Sequence, residues 1–523
     1  MTEAHGSSLT KFGGWAPILV LSGGMAVLVT LAFSQSYSWT HPELLGTSVY
    51  VWNNPAAGLG DMLRKTFDWA AFDPNVNRVR PLNDFAEVVD AIARPYLVQV
   101  LGTSTVALPS TLLTIILAPL LLYGIARHYG CSRFAAVSIA LIAVLSTGFL
   151  SVVVAYIRPA KKLNILLLLA MLFYLSRFAT RDGKGGNSDF WKGFLCCAAS
   201  MFADEQALFN WLILLAFYFR TILGRGAAQS AAALSVPAIF FFGAGYVLPA
   251  IYRLYSVHGD WSALSDSKKY SVFGYLLDPA FYHASIVALG RSVLSFFGII
   301  WHQPILVYGT VLAVLAVPVV LAVRMRTPDS VQWLIATVVL AGASTFMTLL
   351  DWYPFPYEVS YLGSFNYYYH SGLVGPLFLW VLFGTVALRP YVKETGRHLV
   401  RPVAGVLTAT CLIASLYGFG VVNDLVRLLH FQPYDPVGIL QALDDAPDDG
   451  AFTIQAEAAS VDAQFDSALN RLTLGGMVPD PGFGPVYKMI SKTPIMTGGH
   501  FSHLVRSFYP WRSMTVSIEA DDP

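Results

Sequence analysis

Charge is what this chain has least of. Asp, Glu, Lys and Arg make up only 12% of its 523 residues, and the net charge is +1. Soluble globular domains carry roughly 25% charged residues. So sparse and balanced a charge excludes a bulk electrostatic partner, nucleic acid above all. Cysteine is also scarce. The four present (Cys131, Cys196, Cys197 and Cys411) fall in apolar runs or beside basic loops, which argues against an exported disulfide framework. HExxH is missing, as are Walker A, GxSxG and GxGxxG in a proper context. Paired carboxylates therefore remain the only route to a metal site, and their spacing does not indicate one. Internal repeats and low-complexity tracts are lacking too.

Apolar sequence is plentiful: 55% of residues are hydrophobic and mean hydropathy is +0.56. Apolar segments of roughly 18 to 24 residues recur along most of the chain, long enough to cross a ~30 Å hydrocarbon core. The expected fold is an all-α polytopic membrane protein with about 11 spans: 14–34, 103–125, 134–156, 163–178, 191–204, 206–222, 231–252, 303–323, 331–350, 371–388 and 402–422. The start of the chain is weakly basic and the first span is followed by no small-residue cleavage site, so that span reads as a retained helix. The run 283–300, interrupted by Arg291, reads as an interfacial or re-entrant helix.

Orientation follows from Lys and Arg in the short loops. One alternating set holds Lys11, Arg127 and Arg133, the cluster from Arg177 to Lys192, Arg220 and Arg225, Arg324 and Arg326, and Arg389 to Arg401. That set is cytoplasmic, as is the N-terminus. The opposite set is extracytoplasmic: a long first loop (35–102), the turn "YIRPAKKLN", the Asp204–Glu205 turn, 253–302, the aromatic loop 351–370 and the tail 423–523. The division is therefore a transmembrane domain over 1–422 and an exported region of roughly 100 residues, a size suited to a small α/β cap near the lower limit of independent folding.

Several polar groups gather on the outer side. Arg78 and Arg80 precede Pro81 and the amphipathic segment "NDFAEVVDAIA", which Asn83 or Asp84 can cap. Its apolar side, Phe85, Val88, Val89 and Ile92, suits a helix lying on the membrane surface. The arginine pair fits a phosphate or diphosphate, or else an Arg–Asp network inside the loop. Arg158, Lys161 and Lys162 run against the positive-inside bias; they suit an anionic headgroup or lipid-linked phosphate, or snorkelling anchorage. Asp204 and Glu205 sit at a tight turn between two helices, as a solvated tip or as acids facing a functional path. The stretch from Asp351 through Tyr357 and Glu358 to His370 is dense in aromatics and prolines, with His302 on the same side. That density matches an interfacial aromatic belt, and equally a cleft in which rings stack on sugars.

With the long first loop carrying "NRVRPLNDF", the helix pair around "FADEQAL" and the exported tail, the chain resembles the glycosyltransferase C superfamily. "RVRPL" is similar to the Arg-Pro-Leu element of bacterial and protein-O-mannosyltransferase-like members, and "ADEQAL" resembles their acidic turn between paired helices. The likeness is architectural over about 1–422 and specific at those two motifs. It implies an integral enzyme of a bacterial inner membrane, acting in cell-envelope glycan synthesis. Such an enzyme moves a hexosyl or pentosyl group from a polyprenyl-phosphate donor to a glycan, lipid or protein acceptor, with inversion; no cofactor is expected, and a requirement for a divalent metal stays open. Arg78, Arg80, Arg158, Lys161 and Lys162 would bind the donor phosphate. Members carry an Asp directly after the first helix; here the first acid is Glu43, followed by Asp61, Asp68 and Asp73. The base is then one of these or the Asp204–Glu205 pair. A polysaccharide polymerase or ligase using a lipid diphosphate, and a lipid or solute transporter, are the competing classes.

Overall fold

The computed structural model describes residues 16–32, 80–101, 106–155, 159–180, 187–204, 207, 210–215, 227–239, 277–299, 303–325, 367–394, 409, 413, 416–420, 422, 445–447, 449–456 and 513–520. Outside the tail these residues are almost wholly helical. In chain order come α1 (Ala16–Ala32), α2 (Pro81–Leu101), α3 (Pro109–His128), α4 (Arg133–Val144), α5 (Thr147–Leu150), a π turn (Ser151–Ala155), α6 (Pro159–Thr180), α7 (Asn187–Ser200), α8 (Ala227–Ala238), α9 (Pro279–Phe296), α10 (Pro304–Met325) and α11 (Tyr367–Glu394).

Among the described residues two helices are long and apolar enough to cross a membrane, Pro109–His128 and Pro159–Phe178. The bent pair Arg133–Val144 and Thr147–Val154 makes a third if it is one span. Of the eleven expected spans, 206–222, 231–252, 331–350 and 402–422 lie mostly or wholly outside the described residues. The bundle is apolar outside as well as inside. Val20, Leu31, Phe134, Leu195, Ile305 and Val323 are all more than 60% exposed. Meanwhile Asp90, Arg94, Lys161, Lys162, Asp204 and His370 are buried. Water would penalise that exterior and hydrocarbon would not.

Three local departures from the sequence pattern have physical causes. The run 134–156 is not one helix but bends by 53°. Ser146 accepts a hydrogen bond from the Phe149 amide at 3.2 Å, so a polar cap restarts the helix inside an apolar run. The segment 283–300 forms the helix α9 from Pro279, with Asp278 capping the Ala280 amide at 2.9 Å. The amphipathic helix α2 begins at Pro81 and continues to Leu101, so Asn83 lies inside its first turn rather than at its cap.

At the centre, α6 packs against α3, α7 and α11, while α9 packs along α10 and α1 along α3. The last turn of α6 is fastened to the first turn of α7 by Arg177 and Asp189 at 3.5 Å, with His128 on α3 2.7 Å from the Ser176 hydroxyl of α6. Close approach of α9 to α10 depends on Gly290: a Cβ there would stand 2.6 Å from the Val307 carbonyl oxygen. Small residues of this kind let helix backbones meet where no hydrophobic effect drives association. In the tail, Asp449–Ala456 (β1) and Ser513–Ala520 (β2) pair in parallel, Asp449 opposite Ser513 and Ala456 opposite Ala520. Parallel strands need a crossover connection; it falls in 457–512, outside the described residues.

Gly290→Leu should destabilise the purified protein by about 1–3 kcal/mol through overpacking against a backbone atom. Gly309→Leu, where nothing lies within 4 Å, should leave it unchanged or slightly more stable. Thermal unfolding in detergent compares the two, and equal effects would show that the α9–α10 contact is loose.

Candidate functional site

Two helices of the bundle open on the same dipeptide. Proline is the first helical residue of α2 and of α6, preceded by Arg80 and Arg158. Proline suits that position, since its missing N–H would have had no partner there. The structure brings these two starts together with the turn that follows α7. The Leu82 amide donates to the Phe202 carbonyl at 3.1 Å. Asn83 accepts from the Ala160 amide through Oδ1 at 2.8 Å and donates through Nδ2 to Glu87 Oε1 at 2.8 Å. Lys161 Nζ lies 2.9 and 2.8 Å from the two carboxylate oxygens of Asp204. "RPLND", "PAKK" and "FAD" are thus one junction.

The turn holding Asp204 is wound by the chain itself. The amides of Ala203 and Asp204 both bond the Ser200 carbonyl, and the Asp204 carbonyl accepts from Ala207. Asp204 is fully buried and Lys161 nearly so, at 0% and 2% side-chain exposure. Taking both charges out of water is costly, and their mutual attraction offsets it only with good geometry and further hydrogen bonds. One turn farther along α6 a neutral layer supports the pair: Asn210 donates to Asn164 Oδ1 at 2.7 Å and to the Ser200 hydroxyl at 3.1 Å.

Lys162 points to a different set of partners. Its ammonium donates to Thr111 Oγ1 at 2.6 Å, and the Thr111 hydroxyl makes a long contact of 3.4 Å to the Val153 carbonyl. Lys162 and Arg94 both act electrostatically on Asp90. Asp90 accepts from the Ser110 amide at 2.9 Å and the Ser110 hydroxyl at 2.5 Å. Leu108, at the cap position of α3, supplies no side-chain cap, so Asp90 caps that helix from α2, as Asn83 caps α6. Burial pushes the Asp90 carboxyl above its ordinary range, against the pull of Lys162, Ser110 and Arg94. Burial likewise lowers the Arg94 guanidinium, with Asp90 opposing.

Asn83, Glu87, Asp90 and Arg94 recur at helical spacing, a polar stripe down one side of α2. Three of the four are buried, whereas Phe85, Tyr96 and Val100 are exposed. The stripe turns inward, and so does Val88, which the sequence pattern places on the lipid-facing side; of that side Phe85 alone is exposed. The sequence reading passed over Asp90, Arg94, Thr111, Asn164 and Asn210. The heptad-like recurrence of 83, 87, 90 and 94 was the available signal for the first two, but caps between helices leave no local trace.

Of the other expected site residues, Arg80 is half-buried at the start of α2. His370 is buried but belongs to other elements, its ring nitrogens 2.9 Å from Ser151 Oγ and 3.0 Å from Ser295 Oγ. Glu43, Asp73, Arg78, Arg158, Glu205, His302, Asp351, Tyr357 and Glu358 lie outside the described residues, as do Asp61 and Asp68. Among the described residues no three His, Cys, Asp or Glu side chains are grouped to hold a metal.

No known family model, curated protein or solved structure matches this chain.

The junction's ion pair should behave as one unit. Lys161→Met or Asp204→Leu alone, each stranding a buried charge, should cost about 3–5 kcal/mol, and the double variant should recover most of it. Unfolding measurements on the purified variants check this, and additive losses would show that the two charges do not depend on each other.

Proposed function

We propose that this protein is an integral membrane glycosyltransferase of the glycosyltransferase C type, with about 11 spans, its N-terminus cytoplasmic and its tail outside a bacterial inner membrane. It takes a sugar from a polyprenyl-phosphate donor and passes it, with inversion, to a glycan, lipid or protein acceptor. The observation that carries this reading is the convergence of "RPLND", "PAKK" and "FAD" at one end of α2 and α6. These are the segments in which the resemblance and the outlying basic residues reside, and they are far apart in sequence.

The chemistry needs cations for a departing phosphate and a carboxylate for the acceptor hydroxyl. Arg80 and Lys162 are the described cations suited to the first role, joined by Arg78 and Arg158. Lys162 has three N–H donors, and among the described residues one hydrogen-bond acceptor, Thr111. Lys161 is engaged by Asp204, so this pair is best suited to holding the turn that presents its neighbour. That leaves Glu205, or Glu43 or Asp73 of the first loop, as the base. Asp351, Tyr357, Glu358 and His302 would line the sugar-binding side.

A specific feature favours a transporter as the second reading: the span broken at residues 145–146, since discontinuous helices mark substrate sites in transporters. A lipid-diphosphate polymerase or ligase would share the outer cations.

Detergent-purified protein, given a panel of polyprenyl-phosphate sugars, should consume at least one. Glu205→Gln should lower turnover by about 10²–10⁴-fold if it is the base, and Lys162→Met by at least about tenfold, the loss of one charge-assisted hydrogen bond. Vectorial solute uptake into proteoliposomes without sugar consumption would overturn the enzyme reading.

A further inference from the structure

A second buried polar centre lies where the span is broken. His370, 1% exposed, stands near the start of α11 and reaches two other elements. Its Nδ1 is 2.9 Å from the hydroxyl of Ser151, the first residue of the π turn, and its Nε2 is 3.0 Å from that of Ser295 in the last turn of α9. Each serine also has a carbonyl for its own proton, Gly148 at 2.8 Å and Arg291 at 2.9 Å. A neutral imidazole donates to one serine, whose own proton stays on its carbonyl, and accepts from the other, whose single proton then leaves its carbonyl. Phe296 packs edge-on to the imidazole at 5.9 Å. It also covers Gly148 so closely that a Cβ would meet its ring at 2.1 Å.

The π turn has a second anchor two residues on. Lysine has donors only, so the Thr111 oxygen accepts from Lys162 and its hydroxyl proton is left for the Val153 carbonyl. Ser151 is therefore held from the His370 side and Val153 from the Lys162 side of one five-residue turn. π turns are rare and collect at functional sites, where the unusual backbone must be held by its surroundings.

We infer that His370 is a positioning residue: it fixes the π turn Ser151–Ala155, and through Val153 and Thr111 it sets where the Lys162 ammonium stands. The start of α11 is thereby coupled to the cationic end of α6 by a route that does not pass through the Lys161–Asp204 pair. The inference goes beyond the sugar-transfer reading and does not depend on it, because its readouts involve no substrate.

Hydrogen–deuterium exchange on the purified full chain tests the first link. In His370→Leu, amides of 147–156 should exchange about tenfold faster, the effect of losing one net hydrogen bond, whereas His370→Gln, which keeps a donor and an acceptor, should retain most of the protection. Mass-spectrometric labelling with an amine-reactive acetylating reagent tests the second. Lys162 should become severalfold more reactive in His370→Leu while Lys161 stays protected. If His370→Leu does not fold, Ser151→Ala, which removes the hydroxyl that meets both His370 and the Gly148 carbonyl, carries the same two expectations. Unchanged exchange over 147–156, or equal rises at Lys161 and Lys162, would overturn the inference.

Discussion

A lysine and an aspartate with almost no exposure, bonded to each other, set the terms for everything around them. The Lys161–Asp204 pair can stay ionised away from water only if both groups keep their geometry and the surrounding polar groups find partners. Each neighbouring feature answers that demand. The turn winds so that Asp204 faces α6, the Leu82–Phe202 backbone bond ties that turn to α2, and the asparagine layer fills the space beneath. A pair of this kind adds little net stability by itself. What it does is make alternative packings of these segments costly, since any of them strands a charge.

The same logic explains why α2 has its polar stripe turned inward. Helices that begin with proline still leave further amides without intrahelical acceptors, and in an apolar medium no water can satisfy them. Asn83 and Asp90, seven residues apart on one side of α2, each serve the start of a different helix. One helix thereby closes the ends of two others. Phe85, Tyr96 and Val100 of α2 are left on the exterior, an arrangement expected where the outer solvent is lipid rather than water.

The helices themselves were legible. Runs such as 163–178 and 303–323 are apolar over the length of a span, and the structure places helices there with boundaries shifted by a few residues. The break in 134–156 was harder to see, because one serine in a run of valine, isoleucine and leucine is as compatible with a continuous span as with a restart. Ser146 caps because its neighbours let the backbone turn, and Gly148 contributes only because Phe296, distant in sequence, presses on it. In the candidate site the individual residues were visible: Arg80, Lys161, Lys162 and Asp204 all stood out as charge in apolar surroundings. Their partners were not. Thr111, Asn164 and Asn210 look like ordinary polar residues of a membrane helix.

By itself the sequence determined that this chain is helical and rich in apolar runs, and which residues carry its few charges; those properties follow from composition and period, both local. Which charge meets which was decided only by tertiary structure. Two adjacent lysines, identical in chemistry, part company because successive side chains on a helix project about 100° apart, sending Lys161 to Asp204 and Lys162 to Thr111. In the same way His370, an aromatic-loop residue by position, became a link between three elements because two serines from elsewhere in the chain came within reach of its ring.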